Sequence, residues 1–241
     1  MAEILVVDDE RIVRDGLKAR LGGEGFAVRT ARDGADALAK IAERRPDLVL
    51  LDVMMPKMNG FRVCEEVRRT DGALPVVFLT ASDSDGDQVR AIGLGGDDYV
   101  LKSAPAAVLL ARIGRALSRV SAIVASDQVR GRRVIRVGNV SVDMATLSVT
   151  EGGQEVARLT RTEADMLGVL HSANGKPVSI DDIITKLRGC GFSCEDAMVY
   201  VHMGNLRRKL GAAGRMIVNH RGEGYAIVTV GGAQCHGKQS V

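Results

Sequence analysis

Long hydrophobic runs are missing from this sequence, although hydrophobic residues make up 46% of its 241 residues. A membrane-spanning helix needs about 18 consecutive apolar residues, and no such run occurs. The N-terminus starts directly with a strand pattern, without a basic segment or a cleavage site. We therefore expect a cytoplasmic protein with no membrane partner.

Cysteine is also scarce. The four cysteines, at positions 64, 190, 194 and 235, are too few and too scattered to form a disulfide framework in a chain of this length. Cys190 and Cys194 have neither a second cysteine pair nor clustered histidines nearby, so their spacing does not favour a zinc or redox site. We therefore expect all four cysteines to be reduced thiols.

Glycine is absent where a nucleotide site would need it. Dinucleotide and P-loop sites place glycines directly after the first strand, so that backbone N–H groups can approach the phosphates. Here the first apolar run, Ile4–Val7, is followed by the acids Asp8, Asp9 and Glu10. The glycine-rich stretch at 93–96 comes late and is typical of a helix end and turn. These features argue against a nucleotide site.

Charge divides the chain into two parts. Residues 1–118 hold 17 Lys and Arg against 19 Asp and Glu, a net charge of −2, whereas residues 119–241 hold 16 against 11, a net charge of +5. This asymmetry suggests different partners for the two halves. We predict one domain over 1–118, a linker over 119–132, a second domain over 133–230 and a disordered tail over 231–241.

The first half alternates short apolar runs with segments of helical spacing. The runs are Ile4–Val7, Ala27–Thr30, Leu48–Leu51, Val76–Leu79 and Tyr99–Leu101. Such alternation predicts an α/β domain with a doubly wound, five-stranded parallel sheet and helices on both faces. Strands buried on both faces explain why the runs are continuously apolar.

Polar residues stand at the ends of these runs. Asp8 with Asp9, then Asp52, Thr80 and Lys102 end successive strands, and in open α/β sheets the functional groups collect at that edge. A single aspartate at a strand end is usually a turn former, and a single lysine is usually solvated. The prediction of a binding site therefore depends on all of these residues occurring together. Three carboxylates suit Mg²⁺, and Thr80 and Lys102 could hold a phosphoryl group on Asp52.

The motifs VVDDE at 6–10, LLDVMMPKMNG at 50–60, LTA at 79–81 and GDDYVLK at 96–102 resemble the receiver domain of bacterial two-component response regulators, a flavodoxin-like fold. The resemblance implies that Asp52 is the phosphoacceptor and that Mg²⁺ binds Asp8, Asp9, Asp52 and the backbone carbonyl of Met54. It further implies that Thr80 and Lys102 contact the phosphoryl group, and that Thr80 and Tyr99 act as the switch.

Two departures from the family pattern concern the loop and the dimer face. Ser103 follows Lys102 where the family has a proline after a cis peptide bond, so we expect a trans bond or a shifted loop. Val108 replaces a glutamate of the family's dimer face, which predicts weaker dimerisation. The remaining dimer-face residues are Arg90, Asp97, Asp98, Arg112 and Arg119.

The second half begins with four short strand signals between 134 and 159 and continues with three helical patterns. These helices are predicted over Thr162–Ser172, with Thr160 as a possible cap, Ile180–Leu187 and Glu195–Leu210. A final hairpin carries a glycine-rich tip around Arg221. The order predicts an α+β winged helix-turn-helix domain.

LTRTEADML at 159–167, VYVHMGNLRRKLG at 199–211 and HRGEGYAI at 220–227 resemble the OmpR/PhoB-type effector domain. The resemblance implies that the third helix enters the major groove of promoter DNA and that the wing arginine reaches the minor groove. The residues expected at this double-stranded DNA interface are Tyr200, His202, Asn205, Arg207, Arg208, Lys209 and Arg221.

Together the motifs predict a DNA-binding transcriptional response regulator, phosphorylated on Asp52 by a sensor histidine kinase and activated as a homodimer. It is not expected to be an enzyme beyond phosphotransfer and dephosphorylation at Asp52. The segment 189–195 resembles a region that meets RNA polymerase.

Two alternatives remain open. They are a phosphorylation-independent regulator with a constitutive receiver dimer, and a phosphorelay protein whose second half binds protein. A haloacid-hydrolase-like phosphatase is disfavoured, because Met54 stands where its second acid would be.

Overall fold

A computed structural model describes residues 1–81, 90–117, 134–189 and 196–228. The predicted linker at 119–132, the tail at 231–241 and dimer-face residue Arg119 lie outside these ranges, as does nearly all of the segment 189–195. Among the described residues, no helix is both long enough and apolar enough to cross a membrane.

The N-terminal part is built on a five-stranded parallel sheet with the strand order β2-β1-β3-β4-β5. The strands are β1 Glu3–Val7, β2 Ala27–Ala31, β3 Leu48–Asp52, β4 Val76–Thr80 and β5 Asp98–Leu101. Every residue of β3 and β4 is buried, since helices cover both faces of the sheet. The predicted sheet is confirmed.

Helices flank this sheet in chain order. They are α1 Arg11–Gly23, α2 Gly34–Glu43, α3 Gly60–Thr70, α4, described over 90–93, and α5, described over 106–117. The side chain of Asp33 caps α2 by accepting from the Asp36 N–H, and Asn59 caps α3 by accepting from the Arg62 N–H. Both caps satisfy backbone donors that a helix N-terminus leaves open.

The C-terminal part starts with an antiparallel sheet of four strands in sequential order. These strands are β6 Val134–Val137, β7 Val140–Asp143, β8 Ser148–Glu151 and β9 Gln154–Arg158. Three helices follow, α6 Arg161–Ser172, α7 Ile180–Gly189 and α8 Asp196–Lys209, and then a 3-10 helix over Gly211–Met216. The hairpin of β10 Ile217–His220 and β11 Gly224–Ile227 ends the described chain.

A capping box fixes the start of α6. The Thr160 side chain accepts from the Glu163 N–H, and the Glu163 carboxylate accepts from the Thr160 N–H at 2.7 Å. Glu163 is fully buried, and Lys209 at the end of α8 neutralises it at 2.7 Å. The cap therefore also joins α6 to α8.

One glycine in α8 is not required by the fold. A Cβ built at Gly204 meets no atom within 4 Å, and glycine is about 1 kcal/mol less favourable than alanine inside a helix. We expect Gly204→Ala to raise the free energy of unfolding by about 1 kcal/mol, measured by urea denaturation. Gly214→Ala is the matched control, because its Cβ would lie 2.1 Å from the Arg207 carbonyl oxygen. A destabilising Gly204→Ala would contradict this account of α8.

Candidate functional sites

An acidic pocket lies at the carboxyl edge of the parallel sheet. Asp8 follows β1, Asp52 ends β3, Thr80 ends β4 and Lys102 follows β5. Asp8, Asp52 and Thr80 are no more than 1% exposed. Because parallel strands end at a common edge, residues up to 94 positions apart in sequence meet here, as predicted.

Lys102 connects the two buried carboxylates. Its Nζ lies 2.8 Å from Asp8 Oδ2 and 3.0 Å from Asp52 Oδ2. Glu10 Oε1 is farther from the same ammonium, at 3.8 Å. The positive partner that three adjacent acids require is therefore this lysine, placed by the loop after β5.

Backbone contacts hold the first acidic residues in position. Asp8 Oδ1 accepts from the Glu10 N–H at 2.9 Å, and Arg14 Nη1 donates to the carbonyls of Asp8 at 2.7 Å and Asp9 at 2.8 Å. The role of Arg14 was not predicted. Its position four residues after Glu10, on the first turn of α1, was the available signal, since that spacing returns a side chain to the helix start.

Burial changes the protonation chemistry of the pocket. Desolvation raises the pKa of Asp52 above its ordinary value, against the lowering effect of the Lys102 ammonium and with a further increase from the Asp8 charge. Burial alone would lower the pKa of Lys102, but its hydrogen bonds to Asp8 and Asp52 raise it. The raised pKa favours the protonated form of Lys102, which offsets the repulsion between the Asp8 and Asp52 carboxylates.

The donor set fits a hard divalent cation. One carboxylate oxygen from each of Asp8, Asp9 and Asp52 lies within 4.8 Å of the others. Asp9 is exposed whereas Asp8 and Asp52 are buried, so the cluster opens to solvent on one side. Mg²⁺ typically uses one or two protein carboxylates and keeps waters and phosphate oxygens, which this half-open cluster permits.

The loop after β3 presses against the backbone of Asp52. A Cβ at Gly60 would lie 2.2 Å from the Asp52 carbonyl oxygen, so only glycine fits there. The Gly60 N–H donates to the Val53 carbonyl at 3.0 Å, and the Met54 N–H approaches Asp52 Oδ1 at 3.3 Å. Met54 itself is 72% exposed, beside the mouth of the pocket.

The switch candidates lie on neighbouring strands. Thr80 is 1% exposed and its carbonyl accepts from the Lys102 N–H at 2.7 Å. Tyr99 is 6% exposed and its ring packs in the core on the α2–α3 side of the sheet. The peptide bond between Lys102 and Ser103 is trans, as expected.

Comparison with known proteins agrees with this geometry. A family model for the response regulator receiver domain matches residues 4–114, and a model for the C-terminal domain of transcriptional regulatory proteins matches residues 153–227. Response regulator MprA of Mycobacterium sp. (strain KMS) is 38% identical over 226 residues, covering 93% of this chain and 96% of that protein. This chain is a response regulator.

Other relatives are similar to the regulator over both of its domains. MprA of Mycobacterium tuberculosis (strain ATCC 25177 / H37Ra) is 37% identical over the same 226 residues, with the same coverage. A solved structure of a RitR mutant superposes with a TM-score of 0.76 at 26% identity, covering 94% of this chain and 99% of that one. The regulator thus combines a receiver domain with an OmpR-type DNA-binding domain.

The predicted dimer-face residues of the regulator are engaged within the receiver. Asp97 pairs with Arg68 at 2.7 Å, and Asp98 forms an ion pair with Arg112. The Arg90 guanidinium lies 4.7 Å from the centre of the Phe61 ring. Asp97 and Asp98 are each 8% exposed, so both carboxylates are paired within the receiver in this arrangement, whereas the Arg112 side chain is 26% exposed.

Three of the predicted DNA contacts are accessible. Tyr200 is 50% exposed on α8, Arg208 is exposed near its end, and Arg221 is exposed at the tip of the hairpin. Arg207 Nε and Nη2 both donate to the Ile217 carbonyl, at 3.0 and 2.7 Å, and its guanidinium lies over the Tyr225 ring. Arg207 is thus anchored to the wing rather than extended towards a ligand.

The structure corrects the prediction for two other residues. His202 is fully buried with the inner stripe of α8, so it does not present its ring to DNA here. Asn205 is 6% exposed because it packs against the receiver. Lys209 is partly exposed, but its ammonium is paired with Glu163. In this arrangement, α8 is therefore only partly available for contact with DNA.

Replacing the buried acid should stabilise the regulator. Because the pKa of Asp52 is raised in the folded state above its ordinary 3.8, the native form binds more protons, and wild-type stability falls as pH rises through that window. With EDTA at pH 7, we expect Asp52→Asn to raise the urea midpoint. The gain should shrink below about pH 3.8, where both states bind the proton. A lower midpoint, or a pH-independent gain, would contradict this.

Proposed function

We propose that this response regulator is phosphorylated on Asp52 by a sensor histidine kinase with Mg²⁺, and that the phosphorylated form dimerises and binds promoter DNA. The observation that carries the proposal is the Lys102 ammonium between Asp8 and Asp52, at 2.8 and 3.0 Å. The Lys102 ammonium offsets part of the desolvation that raises the pKa of Asp52, at the edge of the sheet where a phosphoryl donor can approach.

Phosphotransfer would use Asp52 as the nucleophile. A carboxylate oxygen attacks phosphorus, the bond from phosphorus to the donor breaks, and the leaving group retains the electron pair. Bound Mg²⁺ would supply charge neutralisation on the phosphoryl oxygens, held by Asp8, Asp9, Asp52 and the Met54 carbonyl. Lys102 is close enough to pair with the new anion, and the hydroxyl of Thr80 is the proposed donor on its other side.

DNA recognition would use α8 and the hairpin. Arg208 and Arg221 are exposed cations at the two ends of this surface, and cations on such a surface pair with the phosphate backbone. Tyr200 of α8 has half its surface exposed, and its ring lies edge-on to that of Tyr225 in the hairpin. We assign Arg221 to the minor groove and the outer face of α8 to the major groove.

The oligomeric form would use the α4–β5–α5 face. The Arg112 side chain is 26% exposed and could exchange its partner Asp98 for an acid of a second protomer across a two-fold axis. Val108 is 39% exposed on that face, which offers apolar area in place of an ion pair. Contact of segment 189–195 with RNA polymerase and the absence of further enzymatic activity remain part of the proposal.

Phosphorylation of Asp52 is measured by intact mass. After incubation with MgCl₂ and acetyl phosphate, we expect one added phosphoryl group in the wild type and none in Asp52→Asn. Asp9→Ala should also prevent it, because it removes an exposed cation ligand without disturbing the buried pair.

Asp15→Ala is the matched control for Asp9→Ala, since Asp15 is an exposed acid on α1 outside the cluster. It should be phosphorylated like the wild type. An unmodified wild type, or equal modification of Asp52→Asn, would favour the phosphorylation-independent alternative.

The wing contact is measured by salt-dependent DNA binding. Arg221→Ala should weaken binding to the region upstream of the regulator's own gene and reduce the slope of log K against log salt by about 1, because one phosphate contact is lost. Arg11→Ala removes an equally exposed positive charge from the receiver and should leave the slope unchanged. Equal effects of both substitutions would rule out a wing contact and leave only general attraction.

A further inference from the structure

Arg207, near the end of α8, holds the first residue of the hairpin. Its Nε and Nη2 atoms both donate to the carbonyl oxygen of Ile217, at 3.0 and 2.7 Å. Ile217 begins β10 and is 2% exposed, within the core of the C-terminal domain. Two donors in one rigid plane fix the direction of the acceptor as well as its distance. Arg207 therefore sets how the hairpin leaves the domain core.

The same guanidinium also contacts the other strand of the hairpin. It lies 5.3 Å from the centre of the Tyr225 ring in β11, within the range of a cation–π interaction. The Tyr200 ring of α8 packs edge-on against the Tyr225 ring, with 6.4 Å between the ring centres. Tyr225 is 3% exposed. Side chains of α8 therefore contact both strands of the hairpin at its base.

Backbone contacts hold β11 along its other edge. The Tyr225 N–H donates to the Val178 carbonyl at 2.9 Å, and the Val178 N–H donates to the Tyr225 carbonyl at 2.8 Å. Gly224 lies so close that a Cβ there would come within 1.9 Å of the Val178 oxygen. The base of the hairpin is thus fixed to the segment before α7 as well as to α8.

Arg221 lies on a tight turn at the far end of the hairpin. The Glu223 N–H donates to the His220 carbonyl at 3.0 Å and closes this turn. The strand β10 has four residues, so at about 3.4 Å per residue Arg221 lies about 14 Å beyond the Arg207 contact at Ile217. Over that length a tilt of about 10° at the base would move Arg221 by roughly 2 Å. A charged hydrogen bond to DNA does not tolerate such a shift.

A direct contact with a DNA phosphate is the competing role for Arg207. Its side chain is only partly exposed, and two of its donors are already bound within the domain. Turning the guanidinium towards a phosphate would leave the buried Ile217 carbonyl without these charged donors, which is unfavourable. The neighbouring Arg208 differs, because it is exposed on α8.

We propose that Arg207 is a positioning residue for DNA binding, which fixes the angle between α8 and the hairpin so that Arg221 reaches DNA. The inference rests on the proposed DNA contacts of α8 and Arg221. Arg207 then makes no phosphate contact of its own, contrary to the role that the sequence resemblance implies. Its effect on DNA binding passes through Arg221.

Arg207→Lys separates the two roles without removing a charge. A lysine offers a phosphate the same charge, but it lacks the planar pair of donors that holds Ile217. For a duplex from upstream of the regulator's own gene, we expect full-length Arg207→Lys to bind about tenfold more weakly than wild type, equal to about 1.4 kcal/mol. The slope of log K against log salt should fall by about 1, because the Arg221 contact is lost. Wild-type affinity in Arg207→Lys would overturn the proposal.

Arg208→Lys is the matched control, since Arg208 is the next residue of α8 and is exposed. A lysine can replace it at a phosphate, so both the affinity and the salt slope should stay close to those of the wild type. An equal loss of affinity in Arg208→Lys and Arg207→Lys would overturn the proposal, because the loss would not depend on the contact with the hairpin.

A double-mutant cycle with Arg221→Ala tests whether the effect passes through the tip of the hairpin. In the Arg221→Ala background, Arg207→Lys should change neither the Kd nor the salt slope any further. Losses that add in the double variant would assign Arg207 an independent DNA contact and overturn the proposal.

Hydrogen–deuterium exchange of the free protein gives a readout that needs no DNA. Peptides that cover residues 217–227 should exchange faster in Arg207→Lys than in the wild type or in Arg208→Lys. Unchanged exchange in Arg207→Lys would overturn the positioning role. If the wild type binds no duplex selectively, the proposed DNA-binding function fails. If the wild type binds selectively and Arg207→Lys binds equally well, only the positioning role fails.

Discussion

The ion pairs of Lys102 with Asp8 and Asp52 are the constraint on which the rest of the receiver depends. Two carboxylates that are no more than 1% exposed could not both stay ionised beside each other without a cation. Lys102 supplies that cation from the loop after β5, so strands β1, β3 and β5 must end at the same height. The strand order of the sheet and the ion pairs of the pocket therefore depend on each other.

Arg207 is a comparable constraint in the second domain. Its guanidinium holds the start of β10 and lies over a ring of β11, so α8 and the hairpin keep a fixed angle. Lys102 and Arg207 act alike, because each is a single cation whose donors join separate elements. In each domain this cation fixes the place of another charge on which the proposed function depends, Asp52 in the receiver and Arg221 in the hairpin.

Sequence alone predicted the features that local pattern determines. Continuous apolar runs located β3 and β4 to within one residue, and the position of polar residues at strand ends predicted that Asp8, Asp52 and Lys102 meet. His202 could have been assigned correctly too, since Val199, His202, Met203 and Leu206 follow the i, i+3, i+4, i+7 spacing of an inward stripe.

The partner of Asn205 could not be predicted in this way. Asn205 has the type and position of a DNA-reading residue, and no local pattern indicates that a carbonyl 113 residues away accepts its hydrogen bond. Asp97 was predicted on the dimer face, but its pairing with Arg68 of α3 was not predicted, for the same reason. The 3-10 helix over Gly211–Met216 was not predicted either, and its Gly214 lies so close to the Arg207 carbonyl oxygen that a Cβ would come within 2.1 Å of it. Contacts between segments that are distant in sequence, and above all contacts between domains, are the features that local sequence patterns did not predict.

The central claim is that Lys102 is the cation that lets Asp8 and Asp52 stay ionised side by side. Urea unfolding of Lys102→Met at pH 7, with either EDTA or MgCl₂ present, tests it most directly. In EDTA we expect a lower urea midpoint than in the wild type, because two buried carboxylates lose their partner. Adding MgCl₂ should raise the midpoint of Lys102→Met more than that of the wild type, because Mg²⁺ replaces the lost positive charge. Lys18→Met removes an exposed lysine of α1 and should behave like the wild type. A wild-type midpoint for Lys102→Met in EDTA, or an equal gain from MgCl₂ in both proteins, would contradict the claim.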